Sequence, residues 1–347
     1  MSRKAKTGSA YADAGVDIDQ MTNSLKSVKR MVKRTANKSV LSKIGSFGGL
    51  FTSPGAKSVL VASTDGVGTK LKVAAMANRH TTIGQDLVNH CVNDILVQGA
   101  RPLFFLDYIG TAKLQGPIFH DIVSGLCKAC KRNKCAILGG ETAEMPGLYP
   151  EGEYDLVGTI VGTVEKKRLI TGKSIRPGDI IIGLRSSGLH TNGYSLARKV
   201  IFETAGLKID DKFPGTSKSV ADVLLAVHRS YLGPVARIMK KFIVRGMAHI
   251  TGGGLIDNIP RILPKGMKAV INTTAWKLPP VFQFIQEQGK IDRDEMYRVF
   301  NMGIGFVIIV REKDADTTIH ALQKMKQRPI VAGYIAEGRR GVQLTHD

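Results

Sequence analysis

The sequence predicts a mixed α/β (α+β) fold divided into two domains. The chain has 347 residues, and single domains commonly hold roughly 100–200 residues. Short apolar runs of strand length alternate with helical periodicity along the chain, which is typical of α/β and α+β folds. The segment from Lys166 to Pro177 is basic and contains Gly172, so we place the boundary there and predict domains at 1–170 and 171–347.

The first predicted element is a basic helix that follows a flexible arm at residues 1–20. Asp19 or Thr22 can cap this helix, which would run to about Thr35. Its basic stripe consists of Lys26, Lys29, Arg30, Lys33 and Arg34. Such a stripe is consistent with a solvated helix face, with cations that reach a nucleotide phosphate, or with a nucleic-acid surface.

The rest of the first half reads as alternating strands and helices. We predict strands at Val59–Ser63, Leu103–Tyr108, Cys135–Gly139 and Asp155–Glu165, and helices at Ile83–Gly99 and Pro117–Arg132. The helix at Ile83–Gly99 has an apolar face and a separate polar face, and the polar face carries Asp86, His90 and Asn93. The polar face therefore needs partners of its own.

The second half continues the alternation. Up to residue 241 the predicted elements are a strand at Asp179–Leu184, a loop with His190, a helix from Ser195, a polar loop at Lys208–Ser219 and a helix from Val220 to Lys241. They are followed by a loop with His249, a strand at Ala269–Asn272, a helix near Pro280–Gln288, a strand at Val307–Val310 and a closing helix–strand pair. Both histidines lie beside glycines in the predicted loops.

The composition points to a cytoplasmic protein. No stretch approaches the roughly 20 apolar residues of a membrane span, and no apolar run follows the basic N-terminus as in a secretory signal. The four cysteines lie between Cys91 and Cys135, which does not indicate a disulfide framework. Cys127, Cys130 and Cys135 lack an adjoining fourth zinc ligand, so we predict ordinary thiols.

The net charge of +21 is high. Such a charge suits nucleic acid or an anionic membrane. The excess is spread along the whole chain, aromatic residues make up only 6%, and no nucleic-acid motif accompanies the charge. We therefore predict a general attraction for phosphorylated ligands, with no membrane and no specific nucleic acid as a partner.

Five glycine-containing segments carry the candidate chemistry. They are Ser63–Lys70, Asn93–Asp94 ahead of Gly99–Pro102, Gly139–Gly147, Ser186–Tyr194 and His249–Gly254. Each combines glycines with acid, hydroxyl, amide or imidazole groups. Glycine lets backbone N–H groups approach a phosphate, and carboxylates hold Mg²⁺ beside nucleotide phosphates. Together the five segments predict a site for ATP.

Three acids are candidate magnesium ligands: Asp65, Asp94 and Glu141. Asp65 follows a predicted strand, Glu141 lies at another predicted strand end, and Asp94 lies inside a mostly apolar helix. An acid in such a helix needs a partner, which a cation or a lysine can provide. Lys70 can act as a point charge on phosphate, although the spacing of its segment is not that of a P-loop.

The five segments, in this order and spacing, resemble the aminoimidazole ribonucleotide synthetase family, also called phosphoribosylformylglycinamidine cyclo-ligase. The likeness extends from Tyr11–Val16 through Gly45–Phe51 to Phe300–Gly305. It implies a homodimer in which the mixed sheets of the N-terminal ATP-binding domains pair into a central β-barrel. It also implies a C-terminal α/β sandwich domain that completes the active site.

The resemblance implies a reaction in purine synthesis. Formylglycinamidine ribonucleotide and ATP would give aminoimidazole ribonucleotide, ADP and phosphate through an iminophosphate. The implied roles are ATP or phosphate binding for Asp65, Gly66, Gly68, Thr69, Lys70, Asn93, Gly139 and Gly140, substrate binding for Ser187, His190, Asn192, Thr251, Gly252 and Gly253, catalysis for His190, His249 and Lys70, and Mg²⁺ binding for Asp65, Asp94 and Glu141.

Other ATP enzymes of the same fold are alternatives. Selenophosphate synthetase is expected to carry a reactive Cys near its N-terminus, but no Cys precedes Cys91. Thiamin-monophosphate kinase lacks the Gly-Glu-Thr-Ala-Glu-Met-Pro-Gly motif of Gly140–Gly147. The amidotransferase of the preceding purine step is usually longer. A nucleic-acid-binding protein is the alternative from a different class, and it would show salt-dependent binding without ATP turnover.

Overall fold

A computed structural model describes residues 38–39, 41–42, 47, 49–53 and 57–346. The predicted arm at 1–20 and the predicted basic helix lie outside these residues. The described chain forms two sheets flanked by helices, which confirms the predicted mixed α/β class.

The first sheet is mixed and has five strands. They are β1 (Gly49–Thr52), β2 (Ser58–Gly66), β3 (Arg101–Thr111), β4 (Ala136–Glu144) and β5 (Tyr154–Glu165). The order is β1-β2-β5-β3-β4, and only the β3–β4 pair is parallel. Along β5, buried residues alternate with half-buried ones, because successive side chains of a strand point to opposite faces. One face of the sheet is therefore covered by helices.

Three helices accompany this sheet: α1 (Lys70–Met76), α2 (Ile83–Leu96) and α3 (Gly116–Asn133). Helix α2 packs closely on α3 because two glycines meet at the crossing. A Cβ at Gly84 would lie 2.2 Å from the Ile122 carbonyl oxygen, and one at Gly125 would lie 2.6 Å from that of Thr81. All fourteen residues of α2 are buried, including the acids and the histidine of its polar face. The polar face is therefore covered by another part of the chain.

The second sheet has six strands. They are β6 (Ile180–Arg185), β7 (Val244–His249), β8 (Met267–Asn272), β9 (Ile304–Val310), β10 (Pro329–Glu337) and β11 (Gly341–Thr345). Their order is β11-β8-β10-β6-β9-β7, and only the β11–β8 pair is parallel. Every residue of β9 is buried, as expected of a near-continuous apolar strand inside a sheet.

Seven α-helices and three shorter helical segments complete the described chain. The α-helices are α4 (Tyr194–Arg198), α5 (Val220–Leu224), α6 (Leu232–Lys241), α7 (Gly254–Asn258), α8 (Pro280–Gly289), α9 (Arg293–Val299) and α10 (Glu312–Lys324). A π-helical turn covers Lys199–Thr204, and 3₁₀ turns cover Lys166–Arg168 and Ile259–Ile262. Among the described residues, no helix is long and apolar enough to cross a membrane.

The predicted single helix from Val220 to Lys241 is wrong. Residues 225–231 separate α5 from α6, and their backbone groups bond to side chains of α2. The amide of Asn89 donates to the His228 carbonyl oxygen at 2.7 Å. The amide of Asn93 donates to the Arg229 carbonyl oxygen at 2.8 Å and accepts from the Tyr231 N–H at 2.9 Å. These tertiary bonds replace the helical ones that the apolar periodicity predicted.

Two predicted loops are also wrong. Glu141 lies within β4, because the strand continues through Glu144 in parallel pairing with β3. His249 is the last residue of β7 and pairs with Phe306 of β9. In both cases sheet pairing extends the strand through residues whose glycine neighbours indicated a loop.

Candidate active site

The candidate site lies where α2 meets the C-terminal half of the chain. The polar side chains of α2 contact the Ser186–Thr191 loop, the 225–231 segment and the end of β7. Residues from both predicted domains therefore form one buried polar cluster. Buried polar groups must be hydrogen-bonded to one another to offset their lost hydration.

Lys70 and Asp86 form a buried ion pair at one end of this cluster. The Lys70 ammonium lies 2.8 Å from Asp86 Oδ2, and both side chains are fully buried. It also donates to the carbonyl oxygens of His190 at 3.1 Å and Ala226 at 2.9 Å. Burial raises the pKa of Asp86 to about 6, while the ammonium opposes that rise. Burial lowers the pKa of Lys70, and Asp86 opposes the shift.

This arrangement differs from the predicted phosphate contact of Lys70. The ammonium already contacts three protein oxygens. A phosphate would have to displace them in a fully buried place. The structure instead uses Lys70 to tie α1 and α2 to the two loops of the C-terminal half.

Asp65 and Asp94 lie together at the other end of the cluster. The Asp65 side chain lies close enough to Asp94 to influence the pKa of that carboxyl group. Asp65 Oδ2 accepts from His90 Nε2 at 3.0 Å, and Asp94 Oδ2 accepts from the Ser63 hydroxyl at 3.0 Å. Burial raises the pKa of Asp94, and the charges of His90 and Arg261 oppose the rise.

His90 is held in its charged form. Burial alone would lower its pKa, but the carboxylates of Asp65, Asp94 and Asp86 raise it to about 9. Arg261 of the C-terminal half supplies a second cation. Burial lowers the pKa of Arg261, and Asp94 and Asp65 oppose that shift. Its guanidinium lies 3.9 Å from the centre of the Phe47 ring. Positive charge therefore surrounds the carboxylate pair.

A chain of hydrogen bonds runs from Asp94 through two histidines and Thr191 to His90, the partner of Asp65. His249 Nδ1 lies 2.8 Å from Asp94 Oδ1, and His249 Nε2 lies 3.0 Å from His228 Nε2. His228 Nδ1 lies 3.3 Å from the Thr191 hydroxyl, which lies 2.7 Å from His90 Nδ1. Burial lowers the pKa of His228 and of His249 well below the usual value, and nearby cationic groups add to the shift. Both rings are therefore neutral at pH 7.

His190 packs against this chain in a strained loop. Its φ is +65°, a backbone region that few non-glycine residues adopt. The His190 ring stacks on His228 with 4.0 Å between centroids, and its Nε2 accepts from the Ser187 N–H at 3.2 Å. Gly305 allows this close packing, because a Cβ there would lie 2.4 Å from the His190 ring. His190 is buried, and its contacts are with protein groups.

The residues fit a divalent cation at Asp65 and Asp94 better than at the histidines. The nitrogens of His190, His228 and His249 lie within 4.8 Å of one another. The His190 and His228 rings, however, are stacked at an angle of 20°, so their in-plane lone pairs run nearly parallel and cannot meet at one ion. Asp65 and Asp94 offer the oxygen ligands that Mg²⁺ prefers.

Glu141 is not part of this carboxylate pair within one chain. The register places Asp65 opposite Gly158, Gly158 opposite Asp107 and Asp107 opposite Gly140. Three strand spacings of about 4.8 Å separate Asp65 from Gly140, or about 14 Å. Gly139, Gly140 and Glu141 are exposed on the edge strand β4.

The glycine loops that were predicted to bind phosphate or substrate lie beside the cluster. Gly68 has a φ of +67°, and a Cβ there would meet nothing within 4 Å, so its backbone faces open space. Thr69 Oγ1 lies 3.2 Å from Ser195 Oγ at the start of α4. Gly66 ends β2. The backbone at Gly68 and Thr69 is therefore open to a phosphate, whereas the Val67 N–H donates to the Leu156 carbonyl oxygen.

The loop residues of the C-terminal half surround a turn before α7. The amide oxygen of Asn192 faces Gly252, where a Cβ would lie 3.2 Å from it. Gly253 has a φ of +93°, and the Thr251 hydroxyl bonds to Asn258 at 3.4 Å. The Ser187 hydroxyl donates to the Val227 carbonyl oxygen at 2.5 Å. Asn93 differs from its predicted role, because its amide holds the 225–231 segment.

Sequence reasoning did not name several residues of the cluster as site residues, among them His90 and His228. The polar face of α2 marked His90, since a histidine among Asp86 and Asn93 on a buried helix needs polar partners. No such signal marked His228, because its segment reads as the middle of a helix. Only the tertiary bonds to α2 identify it.

Comparison with known proteins gives the family. The model for the N-terminal domain of AIR synthase related proteins matches residues 48–164, and the C-terminal domain model matches 176–344. The phosphoribosylformylglycinamidine cyclo-ligase of Geotalea uraniireducens is 51% identical over 95% of this chain and 96% of its own length. The chain belongs to the phosphoribosylformylglycinamidine cyclo-ligase family. The cyclo-ligase of Thermoanaerobacter sp. is 50% identical over 96% of this chain and 99% of its own length.

The chain is therefore an enzyme of the ATP-dependent cyclo-ligase class. Solved structures share its fold. The thiamine-monophosphate kinase of Stenotrophomonas maltophilia superposes with a TM-score of 0.64 at 16% identity, covering 91% of this cyclo-ligase family member and 94% of the kinase. The hydrogenase maturation protein HypE, solved in complex with ATP, gives 0.60 at 18% identity over 90% and 85% of the two chains. At such identities the likeness concerns the fold alone.

Proposed function

We propose that this protein catalyses the ATP-dependent ring closure of formylglycinamidine ribonucleotide to aminoimidazole ribonucleotide, with release of ADP and phosphate, in purine biosynthesis. The observation that carries the proposal is the Asp65–Asp94 pair at the seam of the two halves, in a chain of the cyclo-ligase family. The open backbone at Gly68 follows the strand that carries Asp65. This combination suits a polyphosphate held through a divalent cation.

The chemistry proposed here begins with transfer of the γ-phosphoryl group to the formyl oxygen. An amide oxygen is a poor leaving group, and phosphorylation converts it to a good one. The amidine nitrogen then attacks the carbon of the iminophosphate, the C–O bond breaks, and inorganic phosphate departs with the formyl oxygen. Positioning and charge stabilisation supply most of the catalysis of such a phosphoryl transfer.

We assign Asp65 and Asp94 as the residues that hold Mg²⁺, which neutralises charge on the transferring phosphoryl group when it is bound. The N–H groups of Gly68 and Thr69 contact phosphate, and Arg261 adds a cation beside the carboxylates. Asn192 and the Thr251–Gly253 turn face the substrate. His249 and Lys70, which the sequence placed among the catalytic groups, act by positioning, because protein groups contact both His249 ring nitrogens and surround the Lys70 ammonium.

We propose a homodimer formed by the uncovered face of the first sheet, with both copies in the cytoplasm. Leu106 and Phe51 lie on the face away from α2, and they are 39% and 43% exposed. Leu138 of the edge strand β4 is 64% exposed. Such an apolar surface is typical of a protein interface. The four cysteines are free thiols, as expected in a reducing compartment.

The test is ADP release from the purified protein with Mg²⁺ and ATP, with and without formylglycinamidine ribonucleotide, while formation of the imidazole product is followed. We expect ADP release that depends on the substrate and equals the product. ATP hydrolysis without the product would assign the chain to another activity of this fold.

Asp94→Asn provides the matched variant. It keeps the size of the side chain and removes a carboxylate of the proposed cation site. We expect turnover to be lost while the unfolding transition and the far-ultraviolet circular dichroism remain those of the parent protein. Near-normal rates would remove Asp94 from the cation site.

A further inference from the structure

His228 occupies a buried place that neither the family motifs nor the sequence pattern marked. It lies between α5 and α6, is fully buried, and is held by backbone and ring contacts at once. The backbone N–H of His228 donates to Asp86 Oδ1 at 2.6 Å, and its backbone carbonyl oxygen accepts from the Asn89 amide at 2.7 Å. Its ring stacks on His190. The imidazole is therefore fixed before any ligand binds.

The hydrogen bonds around His228 form a chain that ends on Asp94. His249 Nδ1 lies 2.8 Å from Asp94 Oδ1, where an ionised carboxylate accepts, and His249 Nε2 lies 3.0 Å from His228 Nε2. The same His228 nitrogen lies 3.2 Å from Asn93 Nδ2, and His228 Nδ1 lies 3.3 Å from the hydroxyl of Thr191. The Thr191 oxygen lies 2.7 Å from His90 Nδ1. The Nδ1–H tautomer of His249 together with the Nε2–H tautomer of His228 lets His228 donate to His249.

We propose that His228 is a positioning residue that acts through His249 to orient the Asp94 carboxylate toward the cation of the proposed reaction. The inference rests on the proposed function, since it takes Asp94 as a cation ligand. Groups that orient metal ligands through hydrogen bonds commonly change metal affinity or activity about 10–100-fold when they are removed. His228 reaches Asp94 across the seam, so it also couples the C-terminal half to the cation site.

The experiment measures Mn²⁺ binding by electron paramagnetic resonance of the free ion, with the full chain and without substrate. His228→Leu fills the buried place with an apolar side chain and removes the ring N–H that faces His249. We expect its Mn²⁺ affinity to fall about 10–100-fold, with a fall in kcat and an unchanged KM for the ribonucleotide substrate. His228→Gln keeps an N–H near the position of Nε2, and we expect it to restore most of the affinity.

His80→Leu is the matched control. His80 is also a buried histidine, and its Nδ1 lies 2.8 Å from the Tyr154 hydroxyl, outside the His228 chain. We expect this variant to lose stability but to bind Mn²⁺ as the parent protein does. Nitrogen-15 spectra of the histidine rings give a second readout without metal. They should show the Nδ1–H tautomer of His249 in the parent protein and a mixture in His228→Leu.

The outcomes separate the inference from the proposed function. If the parent protein binds Mn²⁺ and His228→Leu binds it equally well, the inference is wrong and the function is unaffected. If His228→Gln is as impaired as His228→Leu, His228 only fills space. If the parent protein binds no Mn²⁺ but forms product, the cation site at Asp94 is wrong, and the inference falls with it.

Discussion

Replacing Lys70 with Met should destabilise the protein strongly, because it removes one partner of a fully buried ion pair. At the observed 2.8 Å, Coulomb's law with an effective dielectric constant of about 20 gives about 6 kcal/mol of attraction, most of which offsets lost hydration. Removing one partner of a buried pair costs about 3–5 kcal/mol, because the other charge stays unpaired. Asp86 would keep only the His228 N–H as a donor among the described contacts.

Urea unfolding followed by circular dichroism measures the loss. With a denaturant slope near 3 kcal/mol per molar urea, the midpoint should fall by about 1–2 M. The double variant Lys70→Met with Asp86→Asn should recover part of this loss, since neither charge is then buried alone. An unchanged midpoint in Lys70→Met, together with a raised KM for ATP, would refute the buried pair and restore the phosphate contact predicted from the sequence.

Three further predictions concern His90, the α2–α3 crossing and the thiols. The pKa of His90 is raised from 6.5 to about 9, so its pairing with Asp65 stabilises the fold fully below pH 6.5. About 1–2 kcal/mol of the free energy of unfolding should be lost by pH 9, allowing for solvent screening at Asp65. Urea midpoints measured against pH should show this slope in the parent protein and not in His90→Gln. Gly84→Ala should lower the free energy of unfolding by about 1–3 kcal/mol, because its Cβ would meet backbone atoms of α3. The control Gly116→Ala should leave the thermal midpoint unchanged, because a Cβ there would meet nothing within 4 Å. One thiol, that of exposed Cys127, should react quickly with a chromogenic disulfide and the three buried ones only after unfolding; rapid reaction of two or more would contradict the packing around α3.

The sequence was a good guide to elements whose pattern is set locally. The helix predicted at Ile83–Gly99 forms at Ile83–Leu96, and the strand predicted at Asp155–Glu165 forms at Tyr154–Glu165. In both, apolar spacing and the local backbone preference agree with the tertiary packing. The sequence also named Asp65 and Asp94 as members of one site, and the structure places both beside His90 and Arg261.

The sequence was a poor guide where tertiary contacts override a local pattern. The apolar spacing from Val220 onward continues through Val227, yet Asn89 and Asn93 of α2 bind the backbone there and break the helix. Lys70 follows a glycine loop as a phosphate-binding lysine would, but two of its acceptors come from residues more than 100 positions away. Such partners leave no trace in the local spacing.

The most direct test of the proposed reaction follows the formyl oxygen. Formylglycinamidine ribonucleotide labelled with ¹⁸O in its formyl group would be converted with unlabelled ATP, and the inorganic phosphate would be analysed by mass spectrometry. Phosphorylation of the formyl oxygen predicts one ¹⁸O atom in each phosphate released. Unlabelled phosphate alongside the imidazole product, with the label in water, would contradict the account.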